Sequence, residues 1–146
     1  MAVYLLSIKP RFAEQIYKGV KKYELRRKVG SLKPNSYIII YESAPVKAVT
    51  GVVKVGNIRV LSPGEVEALV LAGKLEGCDE EDLKYVIGCR PVLVIEIVEH
   101  MKLKRALKLE ELRTIVDGFK PPLSYIRVNG KERYIKLIEE VFRLIE

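Results

Sequence analysis

The sequence predicts an α+β fold: a small, mostly antiparallel β-barrel with a short helix after its first strand, a helical insertion over about residues 63–88, and a C-terminal helix. Three observations carry this. Apolar runs of strand length outnumber segments of helical periodicity. Short turns separate them, where a doubly wound parallel sheet would need regular crossover helices. A chain of 146 residues, nearly half of them hydrophobic, can bury one core without staples. The expected unit is a single domain over residues 1–146, with its core at about 3–128 and a closing helix at 130–145.

VYLLSI opens the chain as an apolar run of strand length, residues 3–8. Pro10 suits the first turn of a helix in which Phe12, Ile16 and Val20 recur at helical spacing, and Gly19 is placed to end it. In KKYELRR, alternation puts Tyr23 and Leu25 on one face and Lys22, Glu24 and Arg26 on the other, a strand with one wet side. SYIIIYES follows the turn signal Lys33-Pro34-Asn35 and is rich in β-branched and aromatic residues, so it predicts a third strand. AVTGVVKVGNIRVL continues the β character, with Gly51 and Gly56 at bends or bulges.

Ser62-Pro63-Gly64-Glu65 combines an N-cap serine, a proline at the first helical position and a glutamate at the third, which starts a helix running to about Ala72. After a turn at residues 73–77, Asp79 caps a second helix ending near Gly88. PVLVIEIVEH is the clearest buried strand, LKLEELRTI a short helix, and GFKPPLSYIRV extended. Asn129-Gly130-Lys131-Glu132 opens the last helix, whose stripe of Ile135, Ile138, Val141, Phe142 and Ile145 reads as packing surface.

The longest uncharged stretches, such as residues 34–41, are eight residues long, whereas a membrane helix needs roughly 20. MAVYLLSIKP has no basic region before its apolar run and no small-residue cleavage site, so the expected location is cytoplasmic. Cys78 and Cys89 bracket a segment of helical character, which would hold them about 16 Å apart. That exceeds the roughly 7 Å limit on Cα separation for a disulfide. His100 is the single histidine and no paired cysteine spacing exists, so neither a metal nor a cofactor is expected. Abundant Lys, Arg and Glu beside one Gln, three Asn and no Trp make a thermophile-like composition.

The net charge of +7 is not spread evenly. The first 35 residues hold nine basic side chains and two acidic ones, while the remaining 111 hold seventeen of each. Such a local positive field concentrates anionic partners, nucleic acid or phosphorylated metabolites above all. Five of the eight tyrosines, Tyr4, Tyr17, Tyr23, Tyr37 and Tyr41, fall in the first 41 residues. Any exposed one among them offers a stacking surface for an unpaired base.

The stretch LLSIKPRFAEQIYKGVKKYELRR resembles the opening signature of the ASCH superfamily, the activating-signal-cointegrator homology domains, whose fold is related to the PUA domain. The family pattern G-x-K-x-x-E-x-R falls on Gly19, Lys21, Glu24 and Arg26 with nothing inserted. IYESAP with Gly51, and KPPLSYIRV, resemble the family's third-strand and closing segments, so the resemblance spans about residues 3–128. It implies a PUA-like barrel of five or six strands with a cleft, and RNA or a nucleotide as partner, in a regulatory or translation-linked setting.

Two chemistries follow from the resemblance. In the small amidohydrolases of the family, which act on acylated nucleosides such as N4-acetylcytidine, the motif lysine is nucleophile or base, helped by a threonine at the glutamate position and by a more distant glutamate. Here Lys21 is kept but Glu24 replaces the threonine, and Glu76, Glu80 and Glu81 are the candidates for the distant carboxylate. A carboxylate beside the lysine favours its charged form, which opposes nucleophilic work. Glu24 then remains as the alternative base, with Lys21 as an electrostatic clamp. The family also includes ribonucleases.

As a binding cleft, the same residues ask for less. Lys9, Arg11, Lys21, Arg26 and Arg27 are placed to neutralise phosphates, while Glu24 orients Arg26 or accepts a hydrogen bond from an exocyclic base amine. Tyr41, Ser43, Ser124 and Tyr125 come from the segments that resemble the cleft walls. A protein-interaction module using the last helix is the remaining alternative.

Overall fold

Alternation along the first strand sets the layout. In the computed structural model, which describes residues 1–88 and 90–145, β1 (Val3–Ile8) sends Tyr4, Leu6 and Ile8 to one face and Val3 and Leu5 to the other. Both faces are covered, so the strand is apolar throughout. On the first face lies α1 (Pro10–Tyr17), which packs Phe12, Ala13 and Ile16 onto the sheet. The helix stops at Tyr17 and Gly19 takes a left-handed φ of 75°, so Val20, expected on the apolar stripe, is 54% exposed.

Five further strands complete one curled, half-barrel sheet. They are β2 (Tyr23–Arg27), β3 (Tyr37–Glu42), β4 (Ala48–Leu61), β5 (Val92–Lys108) and β6 (Tyr125–Arg127), in the order β2-β5-β4-β3-β1-β6. Among the described residues only the β1–β3 pairing is parallel. The sheet is therefore mostly antiparallel, as expected, but it is open, with β2 and β6 as its edges. Gly51 and Gly56 fall at breaks in the β4–β5 register, where the long hairpin bends. The strand expected to end at His100 continues to Lys108, because Leu103 and Leu107 alone turn inward between exposed lysines and arginine.

The second face is closed by α4 (Leu109–Ile115) and α5 (Ile135–Arg143), the latter entered through a 3₁₀ turn at Glu132–Tyr134. The buried line of α5 is Leu137, Val141 and Leu144. Ile138, Phe142 and Ile145 flank it, and Ile135 is half exposed, so the expected stripe is rotated by about one position. Tyr37 meets Phe142 edge-on, with ring centroids 5.7 Å apart. The apolar face of the last helix is thus spent inside the molecule.

The insertion forms a third apolar cluster against β2 and β5. In α2 (Pro63–Leu71) the Ser62 hydroxyl accepts from Glu65 N and the Glu65 carboxylate accepts from Ser62 N, the capping box anticipated from the sequence. Val66 and Val70 are buried with Leu25, Leu75, Leu83, Val92 and Val94. The second insertion helix, α3 (Glu80–Leu83), is only four residues long, and the chain turns irregularly beyond it. The expectation that Cys78 and Cys89 stand too far apart for a disulfide rested on a longer helix, and Cys89 lies outside the described residues. No helix among the described residues is long and apolar enough to cross a membrane.

Candidate functional site

Because the sheet curls without closing, its β2 edge comes close to β1 near the other edge, and a seam is left between them. Arg26 spans it. Its Nη2 donates to the carbonyl oxygen of Ser7 in β1, while its Nε donates to Glu24 Oε2 at 2.7 Å. A cleft of about 700 Å³ opens along this seam. β1 and its exit contribute Ser7, Ile8 and Lys9, β2 contributes Glu24 to Arg27, β3 contributes Tyr41, and the turn after it contributes Ser43 and Lys47. Residues 121–124, ahead of β6, form the facing wall, and Asp82 and Tyr85 reach in from the insertion.

Of the side chains expected on the wet face of β2, Lys22 is exposed, whereas Glu24 and Arg26 are largely covered. Glu24 is 6% exposed, and the side chain of Lys21 is wholly buried beneath the cleft floor. Lys21 Nζ donates to Asp82 Oδ1, stands 3.8 Å from Glu24 Oε1 and 3.5 Å from Cys78 Sγ, and lies 5.1 Å from the centroid of the Phe12 ring. Asp82 reaches this position because α3 is capped through it: its other oxygen accepts from Asp79 N at 2.9 Å. Burial works against the Lys21 ammonium, but the charges of Glu24 and Asp82 outweigh it, and the lysine pKa stands above its ordinary value. Burial also pushes the Cys78 thiol up to about 11, so at neutral pH it is an inert thiol.

Seven of the sequence-predicted site residues line the cleft together: Lys9, Glu24, Arg26, Arg27, Tyr41, Ser43 and Ser124. Lys21 lies under them. Arg11 turns away, pairing with Glu81 at 2.7 Å on the surface. Tyr125 packs edge-on to Tyr4 against the α1-side core, with ring centroids 6.5 Å apart, and is not among the lining residues. Of the carboxylates considered for the lysine, Glu76 and Glu80 are exposed and Glu81 serves Arg11 and Lys84. The group that meets Lys21 is Asp82, which the sequence reading passed over. Its signal was the spacing Asp79-x-x-Asp82, a capping box that turns the second carboxylate back toward the helix start. Lys47 was also missed. It sits at a left-handed φ of 51° in the turn after β3, a conformation no motif announces.

The sequence matches the ASCH domain family over residues 6–101, more than half of the chain. The protein belongs to the ASCH domain family. It is 26% identical over 141 residues to the ASCH domain-containing ribonuclease of Zymomonas mobilis, covering 94% of this chain and 93% of that one. The crystal structure of ASCH from Zymomonas mobilis shares the fold with a TM-score of 0.79, at 26% identity, over 99% of this chain and 96% of that chain. The N-terminal domain of McrB from Staphylothermus marinus has a TM-score of 0.59 at 12% identity, covering 97% of this chain and 93% of that chain, a likeness of fold alone. In this ASCH domain the G-x-K-x-x-E-x-R motif is divided by depth: Lys21 is interior, Glu24 forms the floor, and Arg26 bridges the seam.

Proposed function

We propose that this ASCH protein binds RNA along the seam cleft. The observation that carries the reading is the convergence of four cationic side chains, Lys9, Arg26, Arg27 and Lys47, on one concavity that also holds the hydroxyls of Ser43 and Ser124. Exposed Lys9, Arg27 and Lys47 act as phosphate contacts, while Arg26 is fixed by Glu24 and Ser7 and presents its remaining donors in a set direction. The test is a titration of labelled single-stranded RNA at several salt concentrations. Binding should weaken as salt rises, and Lys47→Ala should lower the log–log salt slope by about 0.7, one released counterion on a single strand. Absent binding, or binding indifferent to salt, overturns the proposal.

A second reading, cleavage of the bound strand, is favoured by the Zymomonas mobilis relative named as a ribonuclease. In such a step the 2′-hydroxyl gives up its proton as its oxygen bonds to phosphorus, the bond to the 5′-oxygen breaks as that oxygen takes up a proton, and a 2′,3′-cyclic phosphate remains. Arg26 and Lys47 are placed to stabilise the extra negative charge at phosphorus. Mass analysis of RNA incubated with the protein should then find cyclic phosphate ends. Amide hydrolysis fits less well, since a buried lysine held as ammonium by two carboxylates lacks the lone pair a nucleophile needs. Acetylated cytidine should emerge unchanged.

A further inference from the structure

The mouth of the cleft differs in character from its charged lining. Tyr85, just beyond α3, lines the cleft and is 44% exposed. Its ring is braced edge-on by Phe12, with centroids 5.7 Å apart and planes at 90°, so the side chain is held although much of it is open to solvent. Lys9 Nζ stands 5.3 Å from the same ring centroid. At the same cleft Val29 is 58% exposed and Leu123 fully exposed, the latter following Pro121 and Pro122. An apolar mouth over an ionic floor suits a ligand with flat apolar faces, a polar edge and an attached anion.

The floor supplies the matching acceptor. Glu24 Oε2 takes the Arg26 Nε–H, but Oε1 is 3.8 Å from the Lys21 ammonium, too far for a hydrogen bond. A carboxylate has about four acceptor sites, so Glu24 keeps capacity for a donor arriving from the cleft, and its two cationic neighbours keep that acceptor in place.

We propose that the cleft holds one unpaired base of the RNA strand, stacked on Tyr85, with its exocyclic amine donating to Glu24 and its phosphate beside Lys9. This rests on the RNA-binding reading of the same cleft. A base inside a duplex cannot enter, since both faces are stacked and its amine is paired. Cytosine and adenine carry an amine on the edge that would face Glu24, and uracil carries an acceptor there instead, which would meet the carboxylate unfavourably.

The experiment compares short oligo-C, oligo-A and oligo-U strands and a duplex on the intact protein, on Tyr85→Phe and on Tyr85→Ala, with the urea midpoint of each variant as a folding control. The intact protein should bind oligo-C and oligo-A more tightly than oligo-U or duplex. Tyr85→Phe should bind as the intact protein does. Tyr85→Ala should lose roughly tenfold on oligo-C and oligo-A, within the range of one lost stacking contact, with its salt slope unchanged because the phosphate contacts persist. Salt-dependent binding that ignores Tyr85→Ala, or that does not distinguish oligo-U, overturns the base subsite and leaves RNA binding standing. If the intact protein binds none of the strands at any salt concentration, both proposals fall together.

Discussion

The two walls of the cleft hold their polar groups in opposite ways. On the β2 side the charges hold one another: Lys21, Glu24, Asp82 and Arg26 form a chain of ion pairs that is mostly out of water. On the β1 side the hydroxyls are tied to main chain, with Ser7 Oγ donating to Pro122 O at 2.6 Å and Ser43 Oγ to Ile8 O at 3.3 Å. A neutral hydroxyl on a carbonyl can be deleted and leave little behind. Deleting one member of a buried ionic chain leaves a bare charge in a poorly polarisable surrounding. The first wall is therefore structurally committed, whereas the second is free to vary with the ligand.

The sharpest way to break this contrast is Asp82→Ala. It should cost about 3–5 kcal/mol in urea unfolding, since Lys21 loses its direct partner while staying buried. The pair of changes Lys21→Met with Asp82→Leu should cost less than Asp82→Ala alone. If Asp82→Ala unfolds with the native midpoint, the two walls are alike after all.

Next in size is an alkaline effect. The Cys78 thiol is raised to about 11 from an ordinary 9.0, so between these values the unfolded chain binds fewer protons at this site than the native one, and stability falls as pH rises. The loss should be on the order of 2 kcal/mol by pH 11. Lys21 adds to it from a higher pH. Its native pKa is also raised, so its contribution is whole below the ordinary lysine value and is lost only as pH climbs through the native one. Unfolding of Cys78→Ala against pH should show the onset of the loss moved upward.

Smaller still is Ser43→Ala on the other wall, which should change stability by less than about 1 kcal/mol while leaving the unfolding slope intact. At the foot of the scale, Arg11→Ala removes a solvent-exposed pair with Glu81 and should leave the urea midpoint within experimental error. A large effect there would mean that the cleft's rim is braced from outside.

Most of the scaffold was legible from residue patterns. β3 and β4 announce themselves through dense β-branched runs, β1 through an apolar run of strand length, and the Ser62–Glu65 capping box marks the start of α2 to the residue. The far half of β5 was hidden because its outward lysines mask the two inward leucines, and α3 was overestimated because a good N-cap says nothing of helix length. At the site, β2 alternation correctly placed Glu24 and Arg26 together. It could not tell that this face is covered, since burial there comes from β1 and the insertion, both distant in sequence. For the same reason Lys21 reads as one more surface cation. Asp82 stands in a run of four carboxylates whose order alone does not single it out, and Lys47 depends on a turn conformation.

The insertion meets the motif at a point where no side chain fits. Gly77 has φ of 88°, and a Cβ there would run into the backbone of Val20 and Lys21. Lys22 N also donates to the carbonyl of neighbouring Glu76 at 3.0 Å, pinning the two strands of chain face to face. The helical segment is consequently no detachable ornament. Any chimera that transplants it must carry the bare residue along, and any related chain that lacks a glycine at this place must seat its own lysine differently.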